Sequence, residues 1–374
     1  MKYLAEYRDP VLARRLVHEV CATATQRWSI MEVCGGQTHT LVRQGIDEVL
    51  PVRMIHGPGC PVCVTSLEVL DRALAIAARP DVTFVSYGDM LRVPGSSTDL
   101  LALKARGADI RIVYSPVDAV GLAAANPDRQ VVFFAVGFET TAPANAMALL
   151  EAVRRGLENF SMLASHVLVP PAMTAVLEAP DCQVQGFLAA GHVCAVMGWA
   201  QYEPIAAKYA VPIVVTGFEP LDLLEGILMT VRQLEQGRAE VENQYARVVP
   251  WDGNMVALAA IGETMELRPY FEWRGLGFIS HSALQVREKY AAMDAERLFQ
   301  VPGVRVADPK ACQCGEVLKG VLKPWECKVF GTACTPETPI GTCMVSPEGA
   351  CAAYYNFGRM NRTRVAEASG TARS

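Results

Sequence analysis

The stretch VVFFAVGFETTAPANAMALLEAVRRG, residues 131–156, begins with an unbroken apolar run and continues with helix-forming residues. An apolar run without polar alternation is typical of a strand buried on both faces, as in parallel sheets. Helical patterns separate many further runs of this kind, which occur at 28–34, 52–58, 82–88, 109–115, 161–169, 186–198 and 211–217. The pattern predicts an α/β fold with parallel strands.

The runs divide by chain order into two sets of four, which predicts two similar parallel-sheet α/β domains that face a cleft, residues 25–118 and 119–217. Apolar residues at helical spacing over 224–249 then predict a long amphipathic helix. Six cysteines in the C-terminal region indicate a smaller helical or irregular domain, residues 218–374, on which an N-terminal helix within 1–24 packs.

The composition of the 374 residues limits the classes of protein that fit. Hydrophobic residues make up 51% and charged residues 20%, which excludes disorder of the whole chain. The formal net charge of −5 argues against a nucleic-acid partner. No apolar run is long enough to span a bilayer, and the charged start lacks the apolar core of a secretory signal. We therefore expect a cytoplasmic protein.

Chemically reactive residues follow several of the predicted strands. Cys34 ends the first strand, HGPGCPVC at 56–63 ends the second, and Glu139 follows the fifth within GFETT. Ligands of open parallel sheets bind at the carboxyl ends of strands. The topology therefore predicts that these residues line a cleft.

Cys34 lies between a strand and two glycines, which allow close approach of a ligand. A helix beginning there would favour a thiolate, the form that binds soft metals. A buried core cysteine is an equally good interpretation of the pattern. His39, five residues on, is a candidate proton-handling group, although a lone histidine is more often structural.

Cys60 and Cys63 form a C-x-x-C motif with a proline inside, which is typical of dithiol–disulfide sites. Half of a zinc site or an inert turn would also fit this spacing. Glu139 is a candidate base or hydrogen-bonding anchor, and it would equally suit a cap for the helix that follows.

The C-terminal cysteines lack the paired C-x-x-C knuckles of structural zinc sites. A [4Fe–4S] cluster needs four thiolates at spacings that can be irregular, and two of the six cysteines would then remain as a redox pair. Zinc and scattered buried cysteines stay open as alternatives. The six are Cys312, Cys314, Cys327, Cys334, Cys343 and Cys351.

Taken together, these motifs resemble the HypD family of [NiFe]-hydrogenase maturation proteins. The resemblance is carried by MEVCGGQTHT, HGPGCPVCVT, SYGDMLRVPGS, VGFETTAP, CQCGEVLKG and FGTACTPETPIGTCMVSPEGACAAYY, and it runs from about residue 28 to 358. It implies three domains and a scaffold for the Fe(CN)2CO group of the hydrogenase active site, which is a redox-active assembly protein more than a turnover enzyme.

The resemblance also implies partners and residue roles. The partners would be a HypC-type chaperone, a HypE-type cyanide donor and, through the chaperone, the hydrogenase large-subunit precursor. Cys34 would hold the iron jointly with a chaperone cysteine, and Cys60 and Cys63 would be a redox pair beside it. The [4Fe–4S] ligands would be Cys312, Cys327, Cys334 and Cys351, with Cys314 and Cys343 as the adjacent pair.

Two other functions use the same residues. A cluster-dependent disulfide reductase resembling ferredoxin–thioredoxin reductase would use the C-terminal cysteines and CPVC, but it gives Cys34 no role. A zinc-stabilised binding module would need no electron transfer at all.

Overall fold

The described residues of a computed structural model are 5–301, 303 and 307–358, and they form an α/β protein, as predicted. The strands are β1 Ser29–Glu32, β2 Arg53–His56, β3 Val82–Ser86, β4 Ile110–Ile112, β5 Gln130–Gly137, β6 Phe160–Val167, β7 Gly186–Ala190, β8 Ile213–Thr216, β9 Val241–Asn243, β10 Met265–Trp273 and β11 Gly277–Val286. Short 3₁₀ helices lie at Ala5–Arg8, Gly88–Arg92, Ala200–Tyr202, Glu288–Met293, Pro324–Glu326 and Thr342–Met344.

The α-helices connect and follow these strands. They are α1 Pro10–Thr23, α2 Gly35–Gln44, α3 Ile46–Val49, α4 Pro61–Val64, α5 Leu67–Ala77, α6 Leu100–Ala105, α7 Pro116–Ala125, α8 Ala142–Arg154, α9 Val169–Leu177, α10 Gly191–Met197, α11 Glu203–Tyr209, α12 Pro220–Glu235, α13 Met255–Thr264, α14 Ala295–Phe299, α15 Cys314–Leu318 and α16 Ala350–Phe357.

The chain divides into two compact units that differ from the predicted boundaries at 118 and 217. The first combines residues 1–60, 173–253 and 311–374, and the second combines 61–172 and 254–310. The prediction grouped strands by chain order, because sequential strands are usually neighbours. Here the chain leaves the first unit after β2 and returns to it for β7. Residues 359–374 of the predicted third domain lie outside the described part of the chain.

The first unit contains a parallel sheet of order β2-β1-β7-β8-β9. Every residue of β1, β7 and β8 is buried, as expected for parallel strands covered on both faces. Helix α1 packs on α12 over this sheet, where Val20 meets Leu224 and Ile227 in one core cluster. The cysteine-rich segment belongs to this unit.

The second unit contains a mixed sheet of order β10-β11-β6-β5-β3-β4. Strands β3 to β6 are parallel to their neighbours in that group, whereas β10 and β11 form an antiparallel hairpin that joins the sheet beside β6. The apolar runs of the sequence did not predict this hairpin.

Two predicted elements end earlier than expected. The apolar run at 186–198 forms β7 only to Ala190 and then turns into α10, because an apolar run does not by itself distinguish a strand from a buried helix. The predicted helix over 224–249 stops at Glu235, next to Gly237 with a φ of +64°, and the chain then forms β9.

Candidate functional site

Cys34 lies where the carboxyl ends of the first unit's parallel strands meet. It directly precedes α2 as its N-cap residue and is buried. Its Sγ lies 3.9 Å from Nδ1 and 3.8 Å from Nε2 of His192, which follows β7. Phe218, which follows β8, packs edge-on against the His192 ring at 5.0 Å. Three strand ends thus contribute to one small site around a thiol.

The electrostatic surroundings of Cys34 favour the protonated thiol. Burial raises the pKa of Cys34 well above its ordinary value, backbone N–H groups of Gln37 and Gly36 oppose this, and the nearby carboxylates of Glu32 and Glu348 add to it. Burial also lowers the pKa of His192 to about 4, so its imidazole is neutral at neutral pH. Binding of a metal at Cys34 therefore requires the thiol proton to leave.

The loop after β2 packs directly against Cys34. The Gly35 N–H donates to the Gly59 carbonyl at 3.0 Å, and a Cβ on Gly59 would lie 2.1 Å from the Cys34 nitrogen. Only glycine permits this approach. Cys60 and Cys63 follow immediately, both buried, and they form a disulfide. The C-x-x-C motif therefore adopts the oxidised form of a dithiol pair in this structure.

A fully buried carboxylate supports the Cys34 loop. Glu32 Oε2 accepts the Cys34 N–H at 2.8 Å, and Glu32 Oε1 accepts the Thr38 hydroxyl and contacts His56 Nδ1 at 2.8 Å. His56 Nε2 in turn lies 2.9 Å from the hydroxyl of Tyr354 on α16. Sequence reasoning missed this network, because Glu32 stands inside an apolar strand and Tyr354 is 298 residues from His56.

His39 contacts α16. Its half-buried ring packs edge-on against Phe357, with ring centroids 5.1 Å apart. Burial and the nearby charge of Arg43 lower its pKa. These contacts describe a packing residue, and a proton-handling role for His39 stays a prediction.

Glu139 belongs to the second compact unit, whereas Cys34 belongs to the first. Its Oε1 accepts the Val169 N–H at 2.8 Å, and its Oε2 is buried without a hydrogen-bond partner among the described residues. Burial raises the pKa of Glu139 to about 7. The buried carboxyl is therefore close to its titration point at neutral pH, which is a property suited to a base or an anchor.

The six C-terminal cysteines line one cavity together with Val317, Val329, Phe330 and Met344. The Cys334 Sγ accepts the Ile340 N–H at 3.4 Å, and a Cβ on Gly341 would lie 2.2 Å from the Cys312 Sγ. Across the residues that the structure describes, no three His, Cys, Asp or Glu side chains meet closely enough to hold a single metal ion. The cavity therefore gathers thiols from separate segments of the chain among apolar side chains.

His192 is the residue near Cys34 that sequence reasoning did not select. The apolar run GFLAAGHVCAVMG suggested a histidine within a strand, whereas the structure has it in the first turn of α10. The available signal was Gly191, because a glycine after a buried apolar strand often marks the strand's end.

None of the helices in the described ranges has both the length and the apolar character needed to cross a membrane.

Comparison with known proteins identifies relatives along nearly the whole chain. The family model HypD, described as "Hydrogenase formation hypA family", matches residues 11–358. The hydrogenase maturation factor HypD of Rhizobium leguminosarum bv. viciae is 51% identical over 96% of this chain and 96% of its own length. That of Azotobacter vinelandii is 50% identical over 98% and 100%, and that of Escherichia coli K12 is 46% identical over 96% and 98%.

One solved structure, a conserved domain protein from Vibrio cholerae, covers 72% of this chain and 99% of its own. At a TM-score of 0.14 and 13% identity it carries no argument about the fold. The family match and the three relatives show instead that the chain belongs to the HypD family of hydrogenase maturation proteins.

Proposed function

We propose that this chain assembles and carries the Fe(CN)2CO group of [NiFe]-hydrogenase, with Cys34 as its iron-binding thiolate. The observation that carries the proposal is one buried thiol at the N-terminus of α2, beside the neutral imidazole of His192. Low-spin iron with cyanide and carbonyl ligands is soft, and thiolate is a suitable ligand for it. The site lies where parallel sheets bind ligands.

A second ligand from a partner is part of this proposal. The adjacent loop's cysteines, Cys60 and Cys63, are bonded to each other and are better suited to electron transfer. A HypC-type chaperone would supply the second thiolate, a HypE-type protein would donate cyanide, and the hydrogenase large-subunit precursor would receive the group through the chaperone. The formal net charge of −5 is compatible with protein partners.

We also propose a [4Fe–4S] cluster held by Cys312, Cys327, Cys334 and Cys351, with Cys314 and Cys343 as an adjacent redox pair. The donor set fits, because all six line one cavity with apolar side chains. A cubane needs four thiolates, one for each iron, and the sequence lacks the paired C-x-x-C knuckles of structural zinc sites, which favours the cluster. When bound, the cluster supplies single electrons.

The thiols of this chain would pass those electrons by exchange between dithiol and disulfide. Two electrons and two protons convert the Cys60–Cys63 disulfide into a dithiol, and the reverse step returns them. Both cysteines are buried, so this exchange requires an approach path for the attacking thiol.

The test is the infrared spectrum of the protein purified anaerobically with its chaperone. Bands of bound cyanide and carbonyl are expected in the wild-type complex and absent from Cys34→Ala. Cys194→Ala, which replaces another buried cysteine, is the matched control and should keep the bands. Bands of wild-type intensity in Cys34→Ala would assign the iron to another residue.

The second candidate is a cluster-dependent disulfide reductase, which the disulfide at Cys60 and Cys63 also fits. A reductase of this kind has no role for Cys34. A wild-type complex that reduces a small disulfide substrate and never carries the infrared bands would favour it.

A further inference from the structure

One aromatic ring covers the backbone at the ends of both β7 and β8. A Cβ on Gly191 would lie 2.5 Å from Cδ1 of Tyr245, and a Cβ on Gly217 would lie 2.8 Å from Cε2 of the same ring. Because any side chain at either position would collide with the ring, only glycine permits the ring to pack here. Tyr245 lies in the turn that follows β9, and it therefore contacts two strand ends that are neighbours in the first unit's sheet.

The two residues after these glycines form the surroundings of Cys34. His192 lies against the Cys34 thiol, with its Nε2 3.8 Å from Sγ. The Phe218 ring packs edge-on against the His192 ring at 5.0 Å and against the Tyr245 ring at 6.3 Å. A Cβ on Gly36, in the first turn of α2, would lie 3.3 Å from Phe218 Cδ1. Displacement of Tyr245 would therefore move the strand ends and the ring that enclose the thiol.

Arg247 holds the Tyr245 ring in place. Its guanidinium carbon lies 4.4 Å from the centroid of the Tyr245 ring and 4.0 Å from that of Tyr7, which belongs to the N-terminal 3₁₀ helix. Its Nη2 also donates to Oδ2 of Asp222 at 2.7 Å. A planar guanidinium stacks on aromatic rings and pairs with a carboxylate at the same time, whereas a lysine ammonium lacks this planar face. Arg247 therefore connects Tyr245 to α12, where Asp222 lies.

The hydrogen bonds of Asp222 reach the loop after β8 as well. This buried carboxylate accepts the Glu219 N–H at 3.3 Å and Nε2 of Gln244 at 3.0 Å. Gln244 Oε1 in turn accepts the Gly217 N–H at 3.3 Å. A buried carboxylate is strongly destabilising without a cation and donors around it, so Arg247 supports this arrangement too. Ring packing and hydrogen bonds thus join the turn after β9 to the loop after β8.

We infer that Tyr245, stacked on Arg247, is a positioning residue for the Cys34 site. It holds the two strand ends that carry His192 and Phe218 against the thiol. Binding sites require such support, because residues that contact a ligand must themselves be locked by packing. The inference rests on the proposed function only in its ligand, the iron group that Cys34 would bind.

Carbon NMR of the ¹³C-histidine-labelled, full-length protein tests this support without the iron group or a partner. The chain contains six histidines, so His192→Gln suffices to assign the His192 signal. Tyr245→Leu removes the ring, and the His192 signal should shift and broaden, because the neighbouring Phe218 ring loses its support. A His192 signal with its wild-type position and width in Tyr245→Leu would overturn the inference.

Two further variants separate the ring contact from other effects of the substitution. Tyr245→Phe keeps the ring, so the His192 signal should stay at its wild-type position. Tyr209→Leu, which changes a half-buried tyrosine at the end of α11 in the same unit, should also leave that signal unchanged. A shift as large as that of Tyr245→Leu in either variant would contradict a role for the ring contact.

Alkylation of Cys34 measures the displacement at the thiol itself. Tyr245→Leu should speed this reaction about tenfold, since a buried thiol reacts through local opening. Arg247→Lys keeps the positive charge and loses the planar stack, so it should increase the rate less. Arg238→Lys, which changes another ion-paired arginine of the same unit, is the matched control and should keep the wild-type rate. A wild-type rate in Tyr245→Leu would contradict the role of Tyr245, and one in Arg247→Lys that of Arg247.

Infrared spectra of the complex with the chaperone connect this support to the iron group. Tyr245→Leu should lose most of the intensity of the cyanide and carbonyl bands, and Tyr245→Phe should retain it. Wild-type intensity in Tyr245→Leu would overturn the positioning role. Absence of the bands from the wild-type complex would instead contradict the proposed function, and the NMR and alkylation results would still decide the role of Tyr245.

Discussion

The sheet edge around Cys34 and the C-terminal cysteine cavity present their thiols in opposite ways, and under the proposed function they would hold metal differently. The sheet edge offers one thiol fixed by regular strands, a helix N-terminus and a buried hydrogen-bond network. The cavity offers six thiols on loops and short helices. A single fixed thiolate suits a group that must be taken up and handed on, whereas several thiolates suit one that stays.

The largest expected effect is the loss of iron from the C-terminal cysteine cavity. Cys327→Ser removes one of four proposed cluster ligands, so the anaerobic protein should lose its brown absorbance and most of its iron. Cys182→Ser, which changes a half-buried cysteine outside both regions, is the control. Full iron content in Cys327→Ser would take Cys327 out of the ligand set.

The disulfide beside the sheet edge should switch as a pair. Reduction of the full-length protein should make Cys60 and Cys63 alkylate together, while Cys21, which is exposed, alkylates in both states. Differential alkylation read by mass spectrometry measures this. Equal alkylation of Cys60 and Cys63 under oxidising and reducing conditions would remove the redox role.

Two buried carboxylates differ in a way that predicts a pH effect. Glu32 is surrounded by donors, whereas Glu139 has one oxygen without a partner in the described part of the chain. Because burial raises the pKa of Glu139 from 4.5 to about 7, the folded state binds the proton more tightly than the unfolded state. The contribution of the Glu139 carboxyl to the free energy of unfolding is fully present below about pH 4.5. It is lost as the pH rises through about 7.

Glu139→Gln should therefore be more stable than the wild type above pH 7, by up to about 3 kcal/mol, and should differ little near pH 4.5. Thermal unfolding of both proteins across this range measures the difference. A constant difference at every pH would mean that Glu139 keeps its charge state throughout.

The smallest effect is expected at His39. His39→Gln removes an edge contact with Phe357 and should cost about 1 kcal/mol or less of the free energy of unfolding. Cluster absorbance and infrared bands should stay at wild-type levels. Loss of the bands with an intact fold would support the proton-handling role instead.

The sequence predicted the parts of the site that follow from local chemistry. The turn after β1, the C-x-x-C loop and the group of C-terminal cysteines were all visible, because each is a short run of unusual residues. The α/β class was visible in the apolar runs, since parallel strands are buried on both faces.

Local sequence patterns do not predict which strands and helices meet across long separations in the chain. The return of the chain to the first sheet at β7 brings His192 to Cys34, 158 residues away, and no local pattern indicates which sheet a buried strand joins. The Glu32, His56 and Tyr354 network is missed for the same reason, because its three members come from two strands and a helix near the end of the described chain.

Mössbauer spectroscopy of the complex with the chaperone, prepared from ⁵⁷Fe-grown cells, tests the central claim most directly, because it distinguishes cluster iron from low-spin iron outside the cluster. The wild-type complex should contain both species. Cys34→Ala should lose only the low-spin species, and Cys327→Ser should lose the cluster signal. A low-spin species retained at wild-type intensity in Cys34→Ala would contradict the claim that Cys34 holds the iron group.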